Sequence, residues 1–293
     1  MRSRISVPPI AALLALCSAP AWSATTTFTD SYMGSGSGAA CDTAYAISGV
    51  APDDGVQHPL FIYLVGTSET YNNAQAMAAV KGMAARGFVA ATVQYHSEVF
   101  GTCSDIAKKA ACVFKPSSTN SAVSKLCVRG DCSKGIVVGG FSQGSIVSIL
   151  AKNTEPRVKA AYGMGALNAY GTYNMAACMN NGKHKLAAKN LRIVNGEKDF
   201  FGGGMASRVR VASIAVTAKS CASSAYSCLN ANGSGWLMVR NNEVTDKSAD
   251  HCYQRKSNDC FGSESIVDRK WQTGRASWAL PANMNWLKTF AMP

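Results

Sequence analysis

The segment Gly139-Gly140-Phe141-Ser142-Gln143-Gly144-Ser145 sets one serine between glycines two residues before and two after it. That spacing suits a strained strand-to-helix turn, which lifts the Ser142 hydroxyl clear of the backbone as a nucleophile for acyl transfer. Gly140 and Gly144 leave room for such a turn to pack. The N–H of Gln143 would then point at the oxyanion developing on the attacked carbonyl, and the start of the following helix would add partial positive charge. The bare pattern arises by chance about 0.2 times in a chain of this composition. Its meaning therefore depends on a strand before it, a helix after it, and a base and an acid elsewhere.

Four histidines are candidates for the base: His58, His96, His184 and His251. His58 precedes an apolar run and His96 follows one. His184 stands in a polar loop, and His251 lies in Asp250-His251-Cys252 after the last apolar run. For the acid, Asn195-Gly196-Glu197-Lys198-Asp199 follows another apolar run, and its glycine lets the chain turn sharply and return a carboxylate. Asp199 is the preferred acid, with Glu197 as the alternative. Asp246 and Asp250 stand too near His251 in sequence for the usual geometry. The acid would hold the imidazole tautomer and stabilise the imidazolium, without taking the proton itself.

Strands and helices must position these groups. Residues 60–65 (LFIYLV) form an unbroken apolar, β-rich run, the mark of a strand covered on both faces. Residues 72–86 carry helical spacing and end at Gly87. Further strands are expected at 88–95, 136–138, 158–162, 191–194 and 236–240. Helices are expected at 145–152, 205–219 and 278–290, with two short helical stretches within 104–134. The alternation predicts an α/β class: a mainly parallel central sheet with helices on both faces. Such sheets place their sites at the carboxyl ends of strands. Residues 163–190 and 200–234 are expected to shape the pocket, with Tyr170, Phe200 and Phe201 as apolar walls.

In that setting Gly140-x-Ser142-x-Gly144 resembles the nucleophile elbow of the α/β-hydrolase superfamily, whose triad runs Ser, acid, His along the chain. Only His184 and His251 follow Ser142, and only His251 leaves room for an acid between. The resemblance implies a triad of Ser142, Asp199 and His251. Two segments add a narrower likeness. Phe61-Ile62-Tyr63-x-x-Gly66-Thr67-x-Glu69-Thr70-x-Asn72 resembles the oxyanion segment of cutinases, and Gly139 to Gly144 resembles their G-G-[YF]-S-Q-G elbow. This likeness implies that Thr67 and Gln143 give the oxyanion N–H groups, with the Thr67 hydroxyl bracing the same oxygen. The G-F-S-Q-G form also occurs in carboxylesterases similar to acyl-protein thioesterases. Cutinases keep the acid and the histidine close in sequence, whereas Asp199 and His251 are 52 residues apart, a spacing like that of larger esterases. The expected function is hydrolysis of carboxylic esters through an acyl-enzyme, by a cutinase-like enzyme or a general carboxylesterase, lipase or polyester hydrolase. The alternatives are an acyltransferase with a non-water acceptor and a non-catalytic binding protein on the same scaffold.

The first 23 residues read as a secretory signal. Arg2 and Arg4 form a positive start, residues 10–16 an apolar core, and Ala21-Trp22-Ser23 a site for a cut after Ser23. Residues 24–40, rich in Thr, Ser and Gly, read as a flexible leader, and 41–293 as a single α/β-hydrolase domain. Eleven cysteines include Cys17 in the signal, so ten remain, enough for five disulfides in an exported chain, extracellular or periplasmic. Cys127–Cys132, Cys221–Cys228 and Cys252–Cys260 are plausible local loops. Only Cys127 and Cys132 approach metal-ligand spacing, with no histidine near them, so neither a metal nor an organic cofactor is expected. The net charge of +12 reflects few acids, not a cationic stripe, and nucleic-acid binding is not expected. No internal membrane span is expected. The expected partner is an ester, soluble, lipid or polymeric, met by a monomer.

Overall fold

The computed structural model describes residues 24–33, 41, 43–180, 183–256, 260 and 266–291. The expected signal segment, 1–23, and the Gly/Ser tract at 34–40 lie outside them. In chain order the elements are β1 (Thr25–Tyr32), β2 (Tyr45–Pro52), β3 (Leu60–Leu64), α1 (Ala74–Ala84), β4 (Val89–Val93), α2 (Cys103–Phe114), α3 (Ala122–Cys127), β5 (Ile136–Phe141), α4 (Gln143–Leu150) and β6 (Val158–Met164). There follow β7 (Ala169–Tyr170), β8 (Tyr173–Asn174), α5 (Ala176–Met179), β9 (Leu191–Gly196), α6 (Ala206–Thr217), β10 (Ser227–Leu229), β11 (Gly235–Val239), α7 (Arg269–Thr273) and α8 (Leu280–Lys288).

One nine-stranded sheet runs in the order β1-β2-β4-β3-β5-β6-β9-β11-β10. From β4 to β11 all neighbours are parallel, while β1, β2 and β10 join antiparallel at the two edges. Every residue of β3, β4, β5, β9 and β11 is buried. Parallel strands need crossover helices, and these shield both faces. Helices α1 and α8 pack on each other over one face, and α2, α4 and α6 cover the other. This is the mainly parallel α/β architecture, with helices on both faces, expected from the alternation of elements.

The leader expectation is corrected in part. Residues 25–32 form the edge strand β1, which pairs with β2 over its whole length. Phe28 lies opposite Gly49, and its ring occupies the space a side chain at 49 would fill. Tyr32 is buried, and its hydroxyl donates to the Gln94 carbonyl at 2.7 Å. These contacts order a threonine-rich segment that composition alone reads as loose.

Five disulfides staple the described chain. The three expected local pairs are present, joined by Cys41–Cys112 and Cys103–Cys178. The last of these ties the start of α2 to α5, just after the β7–β8 hairpin. Among the described residues no helix is long and apolar enough to cross a membrane, and no group of three or more His, Cys, Asp or Glu is gathered as a metal site.

Loop-closure entropy separates the staples. Cys103–Cys178 closes a separation of 75 residues and Cys127–Cys132 one of 5. Chain statistics assign roughly 4 kcal/mol to the first and roughly 2 kcal/mol to the second. Urea unfolding of the two Cys-to-Ala double variants is expected to show the larger loss for Cys103→Ala/Cys178→Ala.

Candidate active site

At the end of β5 the chain reverses into α4, and Ser142 sits on the corner with φ 51° and ψ −122°. Positive φ on a serine costs roughly 1–3 kcal/mol and persists only where its surroundings enforce it. Here they do. The Ser142 N–H donates to the Met164 carbonyl at 2.8 Å, and the Ser142 carbonyl accepts from the Ser145 hydroxyl at 2.6 Å. The flanking glycines allow the corner to pack. A Cβ at Gly140 would stand 2.4 Å from the Gly144 carbonyl oxygen, and one at Gly144 would stand 2.3 Å from that of Leu64. The helix begins at Gln143, two residues earlier than its apolar periodicity indicates, so its first free N–H groups lie directly after the serine.

After β9 a tight turn, closed by the Asp199 N–H on the Gly196 carbonyl at 3.0 Å, brings the Asp199 carboxylate back over the sheet. Asp199 is fully buried. Its Oδ2 lies 2.7 Å from His251 Nδ1, and its Oδ1 accepts the Phe201 N–H at 3.0 Å. A carboxylate facing Nδ1 makes that nitrogen the donor, which leaves a lone pair on Nε2. His251 Nε2 is buried and has no hydrogen-bond partner among the described residues. The ring is wedged between Phe141 and Phe201, with centroids 4.9 and 4.6 Å away. The loop carrying His251 is pinned to the acid turn, because the Lys198 N–H donates to the Ala249 carbonyl at 2.8 Å.

The other candidates face elsewhere. Glu197 accepts from the Tyr226 hydroxyl at 2.9 Å and the Asn241 N–H at 2.5 Å. Asp246 and Asp250 accept the N–H groups of Ser248 and Cys252. His58 pairs with Asp54 at 2.8 Å and contacts the Gly87 carbonyl ahead of β4. His184 approaches the Val216 carbonyl beside α6.

The loop after β3 lies against the serine, for a Cβ at Gly66 would stand 3.2 Å from that of Ser142. Among the described residues neither the Thr67 N–H nor the Gln143 N–H is taken by a protein acceptor. A buried relay sets the polarity behind them. Lys109 Nζ donates to the carbonyls of Val99 and Phe100 and, at 2.9 Å, to Gln143 Oε1. An ammonium can only donate, so the Gln143 amide must turn its oxygen to Lys109 and its nitrogen to Thr67 Oγ1, 3.0 Å away. The same nitrogen also faces the Ser97 and Val99 carbonyls, and Thr67 Oγ1 can meet it only as an acceptor, which leaves the Thr67 proton to donate. On the other side Glu69 Oε2 accepts the Gly66 N–H at 2.6 Å, and Arg255 forms a buried ion pair with Glu69. Arg255 belongs to the His251 loop, within the span closed by Cys252–Cys260.

Lys109 was not singled out from sequence, although α2 carries a signal for it. It shares the buried face of that helix with Ile106, Ala110 and Val113, an anomalous cation in an apolar stripe. Burial lowers its ammonium pKa to about 8. Arg255 had no such signal, since its partner is 186 residues away.

Ser142, His251 and Thr67 line one open cleft of about 660 Å³ with Phe141, Tyr170 and Phe201. In fold the chain is similar to a lidless α/β serine hydrolase from Xanthomonas campestris, with a TM-score of 0.47 and 10% identity over 73% of this chain and 83% of that one. A hypothetical protein from Pseudomonas aeruginosa is similar at a TM-score of 0.38 and 14% identity, over 54% of this chain and 46% of its own. No protein-family model matches the chain, and no curated protein matches it in sequence.

Two variants probe the buried charges. Lys109→Met keeps the bulk but removes the ammonium from the buried Gln143 Oε1 and from the Val99 and Phe100 carbonyls, and is expected to cost about 1–3 kcal/mol in chemical denaturation. Asp250 is different: burial raises its carboxyl pKa to about 6. Ionising it therefore costs the fold stability as pH rises from about 4 to about 6, and the cost persists above. Asp250→Asn keeps the acceptor for Cys252. It is expected to be more stable than the parent at pH 8, by about 1 kcal/mol once partial exposure is discounted, and equally stable at about pH 3, as thermal unfolding at the two pH values checks.

Proposed function

We propose that this chain is a secreted serine hydrolase of carboxylic esters, cutinase-like at its site, with Ser142 as nucleophile, His251 as base and Asp199 as the orienting acid. The observation that carries the reading is the buried, unpartnered Nε2 of His251 in the cleft with Ser142, while Nδ1 is tied to Asp199. A buried lone pair in the same cleft as a serine on a strained turn is suited to take the hydroxyl proton as the oxygen attacks.

In this mechanism the Ser142 oxygen bonds to the ester carbonyl carbon while its proton passes to Nε2. Negative charge moves to the carbonyl oxygen, where the N–H groups of Thr67 and Gln143 receive it. The Thr67 hydroxyl adds a third donor, because the Lys109–Gln143 relay commits its oxygen to accepting. As the tetrahedral intermediate collapses, Nε2 returns the proton to the leaving alcohol. Water then enters, gives its proton to Nε2, and releases the acid from the acyl-enzyme. Asp199 orients the imidazole and stabilises the imidazolium at each stage.

Five disulfides support a site of action in an oxidising compartment, extracellular or periplasmic, consistent with the signal-like first 23 residues. We read Thr25 onward as one domain working as a monomer.

A fluorophosphonate probe tests the nucleophile directly. The parent is expected to label, and Ser142→Ala to lose both the label and about 10⁵–10⁶ in kcat on an activated ester. Equal labelling of Ser142→Ala would overturn the assignment. Asp199→Asn, which leaves the serine in place but favours the wrong imidazole tautomer, is expected to lose about 10⁴ in kcat.

A further inference from the structure

The cleft beside Ser142 has an unusual lining. Its apolar walls are Phe100, Phe141, Tyr170, Tyr173 and Phe201, and no Leu, Ile, Val or Met lines it among the described residues. A site shaped for flexible alkyl chains gains most from branched aliphatic and Met side chains, which fill irregular space. Rigid rings instead favour another flat ring, through offset or edge-to-face contact at centroid spacings of about 4.5–7 Å.

The rings form a continuous arc. Tyr173 lies 5.1 Å from Phe100, Phe100 lies 4.8 Å from Tyr170, Tyr170 lies 5.4 Å from Phe201, and Phe201 meets the His251 ring at 4.6 Å. Tyr170 offers no polar end to a ligand, since its hydroxyl donates to the Gly165 carbonyl and accepts the Leu167 N–H behind the wall. Tyr173 rises from the β7–β8 hairpin at 40% exposure, so one end of the arc stays open to solvent. The hairpin is held from below by the Met175 N–H on the Asn168 carbonyl at 2.9 Å and by the Cys103–Cys178 disulfide that follows it. The platform is thus built before a ligand arrives, which lowers the ordering cost of binding. Charge is also informative. No Lys or Arg lines the cleft among the described residues, and its one carboxylate, Glu69, is paired with Arg255. The chain's excess of positive charge is not aimed at the substrate.

Orientation follows from the proton transfers and rests on the hydrolase reading above. The alcohol must leave beside His251, next to Phe201, for Nε2 to return its proton. The acyl group then extends away from His251, toward Phe100. The Phe100 carbonyl shares the Lys109 ammonium with Gln143 and so stands on the oxyanion side of the cleft. We propose that the substrates are uncharged esters of flat aromatic acids, with the acyl ring held in the arc of Tyr173, Phe100 and Tyr170.

The full chain is assayed on ethyl cinnamate and ethyl hexanoate, which share one alcohol, after labelling of a separate sample with a fluorophosphonate probe. The aryl ester is expected to show at least about tenfold higher kcat/KM, the scale of discrimination that apolar contacts supply. Phe100→Leu and Tyr173→Leu, which replace a ring by an aliphatic side chain, are each expected to lower the aryl-to-alkyl ratio by about threefold or more. A chain that the probe labels but that favours the hexanoate, or gains nothing from the aryl group, overturns this inference alone. An unchanged ratio in both leucine variants does the same. Failure to label overturns the hydrolase reading and this inference with it.

Discussion

Ser142 holds a backbone conformation that an L-residue avoids, and the central sheet is what enforces it. Strand β5 ends, and α4 begins, where the chain after β3 crosses close by, with the Leu64 and Val65 carbonyls against Gly144. No side chain fits there. The crossing sets the serine, the first N–H of α4 and the loop after β3 within reach of one another. The strain of roughly 1–3 kcal/mol is small against the burial of five fully covered strands, so the sheet can maintain it. Everything proposed for the site depends on this one close approach.

Two buried cations stand behind the approach. Lys109 supports the Gln143 amide from one side, and Arg255 supports Glu69, and through it the Gly66 N–H, from the other. Buried ions seldom add stability over well-packed apolar groups, because desolvation offsets their attraction. Their effect here is directional. A donor-only ammonium admits one orientation of the amide, and a salt-bridged carboxylate fixes the loop that presents Thr67. Arg255 also joins the His251 loop to the loop after β3, so the proposed base and the proposed oxyanion donors share one frame. That coupling is physical and contiguous: disulfide, guanidinium, carboxylate and backbone N–H in sequence.

Legibility in sequence varied with the kind of constraint. Strands β3, β5 and β9 were readable because burial on both faces leaves unbroken apolar runs. Strand β1 was not, because an edge strand with an exposed face keeps threonines that composition takes for a leader; only Phe28 and Tyr32 mark its inner side. The β7–β8 hairpin has two-residue strands, too short for any period to register. Of the proposed site residues, Ser142 and Asp199 follow the ends of β5 and β9, and His251 follows β11. Spacing could not separate Asp199 from Glu197, since both flank one turn and differ only in where the side chain points. The partners of Lys109 and Arg255 are tertiary, and no local pattern encodes them.

The disulfides follow the same division between what the sheet can hold and what it cannot. None joins two central strands, where burial already suffices. Three close short loops outside the sheet's centre, and Cys252–Cys260 is the one that borders the cleft itself. The two long ones act on the covering layer: Cys41–Cys112 and Cys103–Cys178 both anchor α2, the helix that carries Lys109. A buried lysine that meets three oxygens at once requires its helix to be placed closely. A helix of 12 residues packed on α4 and α3 would not guarantee that through apolar contact alone, because such contacts tolerate sliding. Covalent ties at both ends of α2 remove that freedom. The cysteine pattern thus has a local reason beyond general stabilisation: it fixes the helix whose lysine orients the Gln143 amide, and with it Thr67.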